Sequence, residues 1–107
     1  MYAFQMRILE AVAEKLRKKL GKRIIGMYAF GSRVRGDHSE WSDLDILIVV
    51  KEKNPRIQRE IVGMFVDSGM ESGIPFSVII KEERVFNLER SLSSPFYQNI
   101  MSEGVSL

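Results

Sequence analysis

The sequence lacks cysteine and contains a single histidine, His38. Without cysteine the chain cannot form disulfides or thiolate metal sites, and with one histidine we expect neither a zinc centre nor a histidine-based catalytic triad. No apolar run approaches the ~20 residues that a membrane-spanning helix needs. The N-terminal residues also lack the basic-then-apolar order of a signal peptide. We therefore expect a cytoplasmic protein without a membrane segment.

The sequence also has little net charge. The 16 lysines and arginines exceed the 14 aspartates and glutamates by only two, which is too weak a bias to indicate nucleic acid as the main ligand. With 107 residues, of which 45% are hydrophobic and 28% charged, the composition is that of a globular protein. We expect residues 1–107 to form a single domain around one modest core.

Apolar periodicity predicts alternating helices and strands. In residues 4–20 apolar side chains recur at helical spacing, and Gly21 is a suitable C-terminal cap. Residues 24–30, 44–50 and 74–81 have the composition of strands, and the second is so continuously apolar that both of its faces should be covered. This order predicts an α/β fold with a small mixed sheet of three or more strands flanked by helices.

Capping residues predict further helices after the second strand. A polar cap followed by proline, as in Asn54-Pro55 and Ser94-Pro95, is typical of a helix start. The helix that begins at Pro55 should end at residue 68 or as late as residue 73. Residues 82–92 are predicted to form a helix between these two, with its apolar side chains pointing inward: Val85, Leu88 and Leu92, with Phe86 as a further candidate.

The strongest functional signal is an aspartate pair at the start of the second strand. Because successive side chains of a strand point to opposite faces, Asp43 and Asp45 should share one face at a spacing of roughly 6–7 Å. Carboxylates this close repel each other unless a cation lies between them. Mg²⁺ suits such a pair, since it commonly takes one or two carboxylates and completes its shell with substrate phosphates. The pair therefore indicates a magnesium site.

The segment that precedes this pair favours phosphate. Gly31 lets the backbone approach a ligand closely, and Ser32 adds a hydroxyl. A short helical turn over residues 32–35 would present N–H groups to an anion. Arg33 and Arg35 are candidates for neutralising a triphosphate. One half of the motif thus favours phosphate and the other half favours metal.

Each of these features also has an ordinary structural explanation. Gly31-Ser32 alone is typical of a turn after a strand. Asp43 is compatible with a loop or capping role, and Asp45 with a solvent-facing strand position. Exposed arginines are common on any protein surface. Only the combination of these features points to chemistry.

That combination resembles a known superfamily of enzymes. Gly31-Ser32, Gly36 and Ser42-Asp43-Leu44-Asp45 before an apolar strand resemble the nucleotidyltransferases that include DNA polymerase β and kanamycin nucleotidyltransferase. In length the chain is similar to their minimal, MNT-type branch. The resemblance implies the polymerase β-like nucleotidyltransferase fold, with Asp43 and Asp45 as catalytic ligands of Mg²⁺. It also implies a site for a nucleoside triphosphate, with ATP as the preferred donor, formed by Gly31, Ser32, Arg33, Arg35, Gly36 and Ser42.

The same resemblance implies a reaction and a partner. The expected reaction transfers a nucleoside monophosphate, AMP if ATP is the donor, to a hydroxyl acceptor. Small chains of this branch often pair with a HEPN-domain protein in toxin–antitoxin systems, and some modify that toxin with AMP. We therefore expect a HEPN-type partner, with this chain as the antitoxin. A homo-oligomer is compatible with this role.

The third strand departs from the pattern of the superfamily at Ser77. The superfamily generally places a carboxylate there, which helps to hold a second metal or takes the proton from the attacking hydroxyl. A serine hydroxyl can do neither at neutral pH. Acids near this strand in the sequence are the candidate substitutes: Asp67, Glu71, Glu82 and Glu83.

Two other functions remain open. Ser77 favours a catalytically degenerate subunit that retains only nucleotide or protein binding. The basic residues between positions 15 and 23 favour, less strongly, an RNA-binding module, although interaction with the helix dipole explains much of that cluster. RNA binding would depend on salt concentration and not on Asp43 or Asp45.

Overall fold

The computed structural model describes residues 2–31 and 43–107. The turn predicted at residues 32–35 and the loop residues His38 and Trp41 lie outside these ranges. The described chain alternates helices and strands, which confirms the predicted α/β class. Its elements are α1 (Tyr2–Leu20), a 3₁₀ turn (Gly21–Arg23), β1 (Ile24–Phe30), β2 (Leu44–Val50), α2 (Pro55–Ser72), β3 (Phe76–Glu82), α3 (Glu83–Ser91), α4 (Pro95–Glu103) and β4 (Val105–Ser106).

The four strands form one mixed sheet in the order β3-β2-β1-β4. Strand β1 runs antiparallel to β2 and β4, whereas β2 and β3 are parallel. Strand β2 is central, and its residues 46–50 are all buried, as its apolar sequence predicted. Strand β4 was not predicted, because two residues carry no usable pattern. Within the described ranges, β3 pairs with β2 only and forms one edge of the sheet.

Helices α1 and α2 cover one face of the sheet and enclose the larger core. Alternate residues of β2 point into it, α1 contributes the apolar stripe that the sequence predicted, and α2 contributes Ile57, Ile61 and Phe65. Phe4, predicted as the first member of the α1 stripe, is instead 48% exposed. Completely buried members of this core are Leu9, Leu16, Ala29, Ile46, Ile48, Val50 and Ile61.

The boundaries of α2 follow from its caps. The Asn54 side chain accepts a hydrogen bond from the Ile57 N–H at 2.9 Å, which satisfies one of the free N–H groups at the helix start. Gly73 follows the helix in the left-handed conformation, with φ at 76°. The later of the two predicted ends is therefore correct. None of the helices in the described chain is long and apolar enough to cross a membrane.

Helices α3 and α4 cover the opposite face with a smaller cluster, formed by Leu47, Val49, Phe86 and Ile100. The prediction for α3 was wrong in orientation, because Leu88 is 57% and Leu92 70% exposed. The helix instead rests on the sheet through Phe86, whose ring lies 6.1 Å from Tyr28 and 5.3 Å from Tyr97. This aromatic contact turns the stripe of Val85, Leu88 and Leu92 toward solvent.

Candidate active site at the start of strand β2

The two aspartates lie where β2 begins. Asp43 is exposed and directly precedes the strand, and Asp45 is its half-buried second residue. Strand alternation places Asp45 on the same face as Leu47 and Val49, which α3 and α4 cover. The carboxylate of Asp45 therefore occupies the end of that face where the apolar cluster stops.

Gly31 lies directly against the Asp45 carboxylate. Its φ is +92°, and a Cβ atom built on it would stand 2.1 Å from Asp45 Oδ2. The preceding residue, Phe30, is the register partner of Asp45 in the antiparallel β1–β2 pair. Any side chain at position 31 would have to displace the carboxylate, since contacts this short do not occur. The glycine was predicted for close approach to a ligand, and it also makes room for Asp45.

Ser77 is the direct neighbour of Asp45 on the next strand. The two residues are register partners in the parallel β2–β3 pair, so their side chains point to the same face. Adjacent strands lie about 4.8 Å apart. A carboxylate at position 77 would therefore stand beside Asp45, and serine occupies that position.

Two of the candidate substitute acids lie at the far end of β3. Glu82 is five residues beyond Ser77, a distance of about 16 Å along the strand. Its carboxylate accepts hydrogen bonds from the Lys53 N–H at 2.9 Å and from Arg84 Nε at 3.0 Å. The Lys53 N–H, followed by Arg84, lowers the pKa of Glu82 below its ordinary value of 4.5. Neither Glu82 nor the adjoining Glu83 can replace the missing acid.

The other two candidates lie on the wrong face of the sheet. Asp67 and Glu71 belong to α2 and line a surface cleft between α1 and α2, together with Ile8 and Lys15. Helices α1 and α2 cover the face opposite to Asp45. The structure therefore places none of the four proposed substitutes beside Ser77.

Sequence reasoning missed an ion pair on the same face as Asp45. Lys81 of β3 pairs with Glu89 of α3, and their side chains are only 22% and 19% exposed. The Ser94 hydroxyl donates to Glu89 Oε2 at 3.4 Å and accepts from the Tyr97 N–H at 3.1 Å. The pair thus ties the turn between α3 and α4 to the sheet. Its signal in the sequence is a single lysine directly after the apolar residues 78–80.

Aromatic contacts connect this ion pair to the aspartate. Lys81 Nζ lies 4.0 Å from the centroid of the Phe96 ring. That ring packs edge-on against Phe30 at 5.7 Å, and Phe30 is the register partner of Asp45. The Lys81–Glu89 pair therefore helps to fix an aromatic wall on the side of Asp45 that faces α4.

The oxygen ligands present fit a magnesium ion whose coordination shell is completed by the substrate. In residues 2–31 and 43–107, no group of three or more histidine, cysteine, aspartate or glutamate side chains could hold a metal alone. Asp43 and Asp45 supply two carboxylates, and the Asp45 carboxylate occupies the space that a side chain at position 31 would take. Mg²⁺ accepts such a partial set, because it retains water and binds phosphate oxygens.

Most of the predicted phosphate-binding residues fall outside the described ranges. These residues are Ser32, Arg33, Arg35, Gly36 and Ser42. They belong to the segment that connects Gly31 at the end of β1 with Asp43 before β2. Their roles stay predictions, whereas the two residues that flank the segment lie at the site.

Sequence comparison identifies the family to which a chain with this arrangement belongs. The model of the nucleotidyltransferase domain family matches residues 8–104. The chain belongs to this family. The match extends from α1 to the end of α4, so it includes the aspartate pair and every strand of the sheet except β4. The resemblance inferred from the sequence is confirmed, and the protein is a nucleotidyltransferase.

Individual relatives agree with this assignment. A Methanocaldococcus jannaschii protein, provisionally named a protein adenylyltransferase, is 30% identical over 89 residues, which cover 83% of both chains. A provisionally named nucleotidyltransferase from Sulfolobus solfataricus has a TM-score of 0.52 and 27% identity, over 99% of this chain and 78% of its own. A chain from a toxin–antitoxin complex with AMP-PNP has a TM-score of 0.55 over 91% of this chain and 70% of its own; at 22% identity it shows the fold alone.

Proposed function

We propose that this nucleotidyltransferase transfers AMP from ATP to a hydroxyl group of a partner protein, with Mg²⁺ held by Asp43 and Asp45. The observation that carries the proposal is the contact between Gly31 and the Asp45 carboxylate. It joins the end of β1, where phosphate is expected, to the predicted metal ligand. The name of the M. jannaschii relative supports protein as the acceptor and AMP as the transferred group.

In this reaction the acceptor oxygen attacks the α-phosphorus of ATP. A new oxygen–phosphorus bond forms, the bond to the β-phosphate oxygen breaks, and pyrophosphate leaves. Bound Mg²⁺ would neutralise triphosphate charge. The chain itself positions the donor: Asp43 and Asp45 through their carboxylates, and Gly31 by allowing close approach of the backbone. Ser32, Arg33, Arg35, Gly36 and Ser42 are proposed to bind the phosphates.

In the described ranges no third carboxylate lies beside Ser77 to take the proton of the acceptor hydroxyl, which would therefore pass to solvent water. Ser77 cannot accept it, because a serine hydroxyl is not a base at neutral pH. Asp67, Glu71, Glu82 and Glu83 lie too far away. General-base catalysis typically contributes ~10²–10⁴-fold to a rate, so we expect turnover slower than that of an enzyme with all three acids.

We propose a HEPN-type toxin as the partner, with this chain as its antitoxin. The MNT-type motif supports this role, and so does the likeness in fold to a chain from a toxin–antitoxin complex. AMP-PNP, which accompanies that complex, is an ATP analogue. A partner that receives AMP would also supply the acceptor hydroxyl.

The alternative is a catalytically degenerate subunit that binds nucleotide or partner without transfer. Ser77 beside Asp45 is the observation that favours it. The two functions differ in turnover and share the donor site. Transfer of label from α-labelled ATP to protein therefore separates them.

That experiment uses wild-type protein, Asp45→Asn and Ser77→Asp, each with Mg²⁺ and a candidate acceptor protein. We expect slow transfer by the wild type, none by Asp45→Asn, and up to ~10²-fold faster transfer by Ser77→Asp, because a carboxylate then stands beside Asp45. Transfer by Ser77→Asp alone would establish the degenerate function. Transfer that survives Asp45→Asn would refute both the metal assignment and the site.

A further inference from the structure

The basic side chains of the chain are concentrated in two short segments, residues 18–23 and 51–59. These 15 residues contain eight lysines and arginines and one acid, Glu52. The other 92 residues contain eight basic and 13 acidic side chains. The net charge of +2 therefore combines +7 in the two segments with −5 elsewhere. The eight basic residues of the segments are Lys18, Lys19, Lys22, Arg23, Lys51, Lys53, Arg56 and Arg59.

The fold brings the two segments together at one end of the sheet. Residues 18–23 are the last residues of α1 and the 3₁₀ turn before β1, and residues 51–59 connect β2 to the start of α2. Ile24, the first residue of β1, is the register partner of Val50, the last residue of β2. The Lys51 N–H also donates to the Arg23 carbonyl at 2.9 Å. We call the surface formed by the eight basic side chains the basic end.

Most charges of the basic end are not neutralised by acids. All eight basic residues are exposed. Lys18 pairs with Glu14 at 3.1 Å, and Arg56 pairs with Glu60 at 3.6 Å. Within residues 2–31 and 43–107, the other six basic side chains form no ion pair. The basic end is therefore a region of strong positive potential.

The helix dipole explains only part of this cluster. The lysines in the last turn of α1 interact favourably with the negative end of that helix. Lys51, Lys53 and Arg56 instead lie at the start of α2, where the dipole is positive and acidic side chains are favoured. The first turn of α2 contains no acidic residue. Local helix stability does not account for these three cations, whereas an anionic ligand does.

A cleft in the basic end is suited to such a ligand. It has a volume of about 430 Å³ and lies between the 3₁₀ turn, the end of β2 and the start of α2. Its three cations outnumber its one carboxylate, so a phosphate group would enter a positive environment. The guanidinium groups add planar pairs of donors that match phosphate oxygens. The lining residues are Arg23, Lys51, Glu52, Asn54, Arg56 and Ile57.

The composition of the basic end favours a nucleic acid over a protein as its partner. Five of the eight cations are lysines, which are depleted in protein interfaces. Such interfaces also need apolar or aromatic anchors at their centre. The two large apolar residues of these segments, Leu20 and Ile57, are buried, and neither segment contains an aromatic residue. Phosphates, in contrast, are bound by exposed lysines and arginines.

We propose that the basic end binds the phosphate backbone of a double-stranded nucleic acid without reading its sequence. Single strands are held largely by aromatic side chains that stack on the bases, and the two basic segments contain none. A duplex presents one negative charge per about 1.7 Å of its axis, so several of the eight cations can contact phosphates at once. This inference does not depend on the proposed function.

The basic end and the candidate site lie at opposite ends of β2. Asp45 precedes Val50 by five residues, which is about 16 Å along the strand. A duplex on the basic end would therefore leave the two aspartates accessible. The surface would hold the nucleotidyltransferase on a nucleic acid while its donor site stays open.

Fluorescence anisotropy with labelled duplexes of about 20 base pairs tests the proposal. We expect a Kd of about 1–100 µM near physiological salt, the usual range of sequence-independent binding. The logarithm of the binding constant should fall against the logarithm of salt concentration with a slope of about −3 to −5, since each phosphate contact contributes about −0.9. RNA and DNA duplexes of one sequence separate the two sources: equal affinities indicate phosphate contacts alone, and a preference for RNA indicates added contacts to the 2′-hydroxyl.

Charge reversal in the cleft shows where the duplex binds. Arg23→Glu/Lys51→Glu should weaken binding at least ~10-fold. Arg7→Glu/Arg90→Glu is the matched control, because it changes the net charge equally at two exposed positions outside the basic end; it should weaken binding less than ~3-fold. If circular dichroism shows that the first variant does not fold, Lys22→Gln replaces it, and this variant should reduce the salt slope by about 1.

No anisotropy change at ~1 mM protein and low salt would overturn the proposal and leave the basic end for an acidic protein. Equal losses in the two double variants would show that net charge, and not the basic end, attracts the duplex. Tighter binding of a single strand than of the duplex would contradict the assignment of a double-stranded ligand.

Discussion

The two faces of the sheet serve different purposes. On the α1–α2 face, every inward residue of β2 is apolar and at most 3% exposed: Leu44, Ile46, Ile48 and Val50. On the α3–α4 face, the same strand presents Asp45 before Leu47 and Val49, and the apolar cluster there has four buried members among the described residues. A closed apolar face supplies stability, and the partly open face can then hold a half-buried carboxylate at its end.

The largest loss of stability should come from a cavity in the core on the α1–α2 face. Ile46→Ala removes three carbon atoms from a completely buried position, which should lower the free energy of unfolding by about 2–5 kcal/mol. Urea denaturation measures this loss. Met101→Ala, at a 45% exposed position, should change stability by less than about 0.5 kcal/mol. Equal losses for the two variants would contradict the closed core.

A glycine pair tests the polar end of the other face. Gly31→Ala would force Asp45 to move, and misplacement by about 1 Å can cost ~10²-fold in activity. Gly73→Ala imposes similar backbone strain, since φ is +76° there, but a Cβ atom at Gly73 meets nothing within 4 Å. Both variants should lose about 1–3 kcal/mol of stability. Only Gly31→Ala should lose nucleotide transfer, as measured with α-labelled ATP.

The Lys81–Glu89 pair tests whether charge stabilises the partly open face. Lys81→Met leaves a carboxylate that is 19% exposed without its cation. Allowing for partial solvent access, we expect a loss of about 1–2 kcal/mol. A double-mutant cycle with Glu89→Gln measures the coupling. The same cycle on the exposed pair Glu14–Lys18 should give a coupling energy of at most about 0.5 kcal/mol. Equal coupling energies for the two pairs would contradict a special stabilising role of the Lys81–Glu89 pair on the partly open face.

The smallest effect concerns Glu82, at the far end of β3 from Asp45. Its pKa is lowered in the folded state, chiefly by the Lys53 N–H. Its contribution to stability is therefore present above the ordinary pKa of 4.5 and is lost as pH falls through the lowered value. Glu82→Gln should lower the urea midpoint slightly at neutral pH, and the difference should vanish in acid. A difference that is independent of pH would exclude the carboxylate as its source.

Much of the fold could be predicted because its signals are local. The caps at Asn54 and Ser94, the apolar stripe of α2 and the continuous apolar run of β2 each act within a few residues. The orientation of α3 could not be predicted, since one long-range aromatic contact through Phe86 overrides its apolar periodicity. The pairing of β4 is likewise long-range.

In the candidate site, too, the local features could be predicted from the sequence and the long-range ones could not. The aspartate pair and the odd serine on β3 were visible in the sequence, because strand alternation and motif spacing are local properties. That Ser77 lies directly opposite Asp45 depends on the register between two strands. The exclusion of Glu82 and Asp67 required knowing which end and which face of the sheet they occupy.

The most direct test of the account is a calorimetric titration of ATP into the protein, with and without Mg²⁺, repeated on the double variant Asp43→Asn/Asp45→Asn. Both proteins should unfold cooperatively at similar temperatures, since neither residue belongs to the closed core. We predict saturable binding by the wild type that requires Mg²⁺, and none by the double variant. Binding by the folded double variant equal to that of the wild type would contradict the assignment of the partly open face as the donor site.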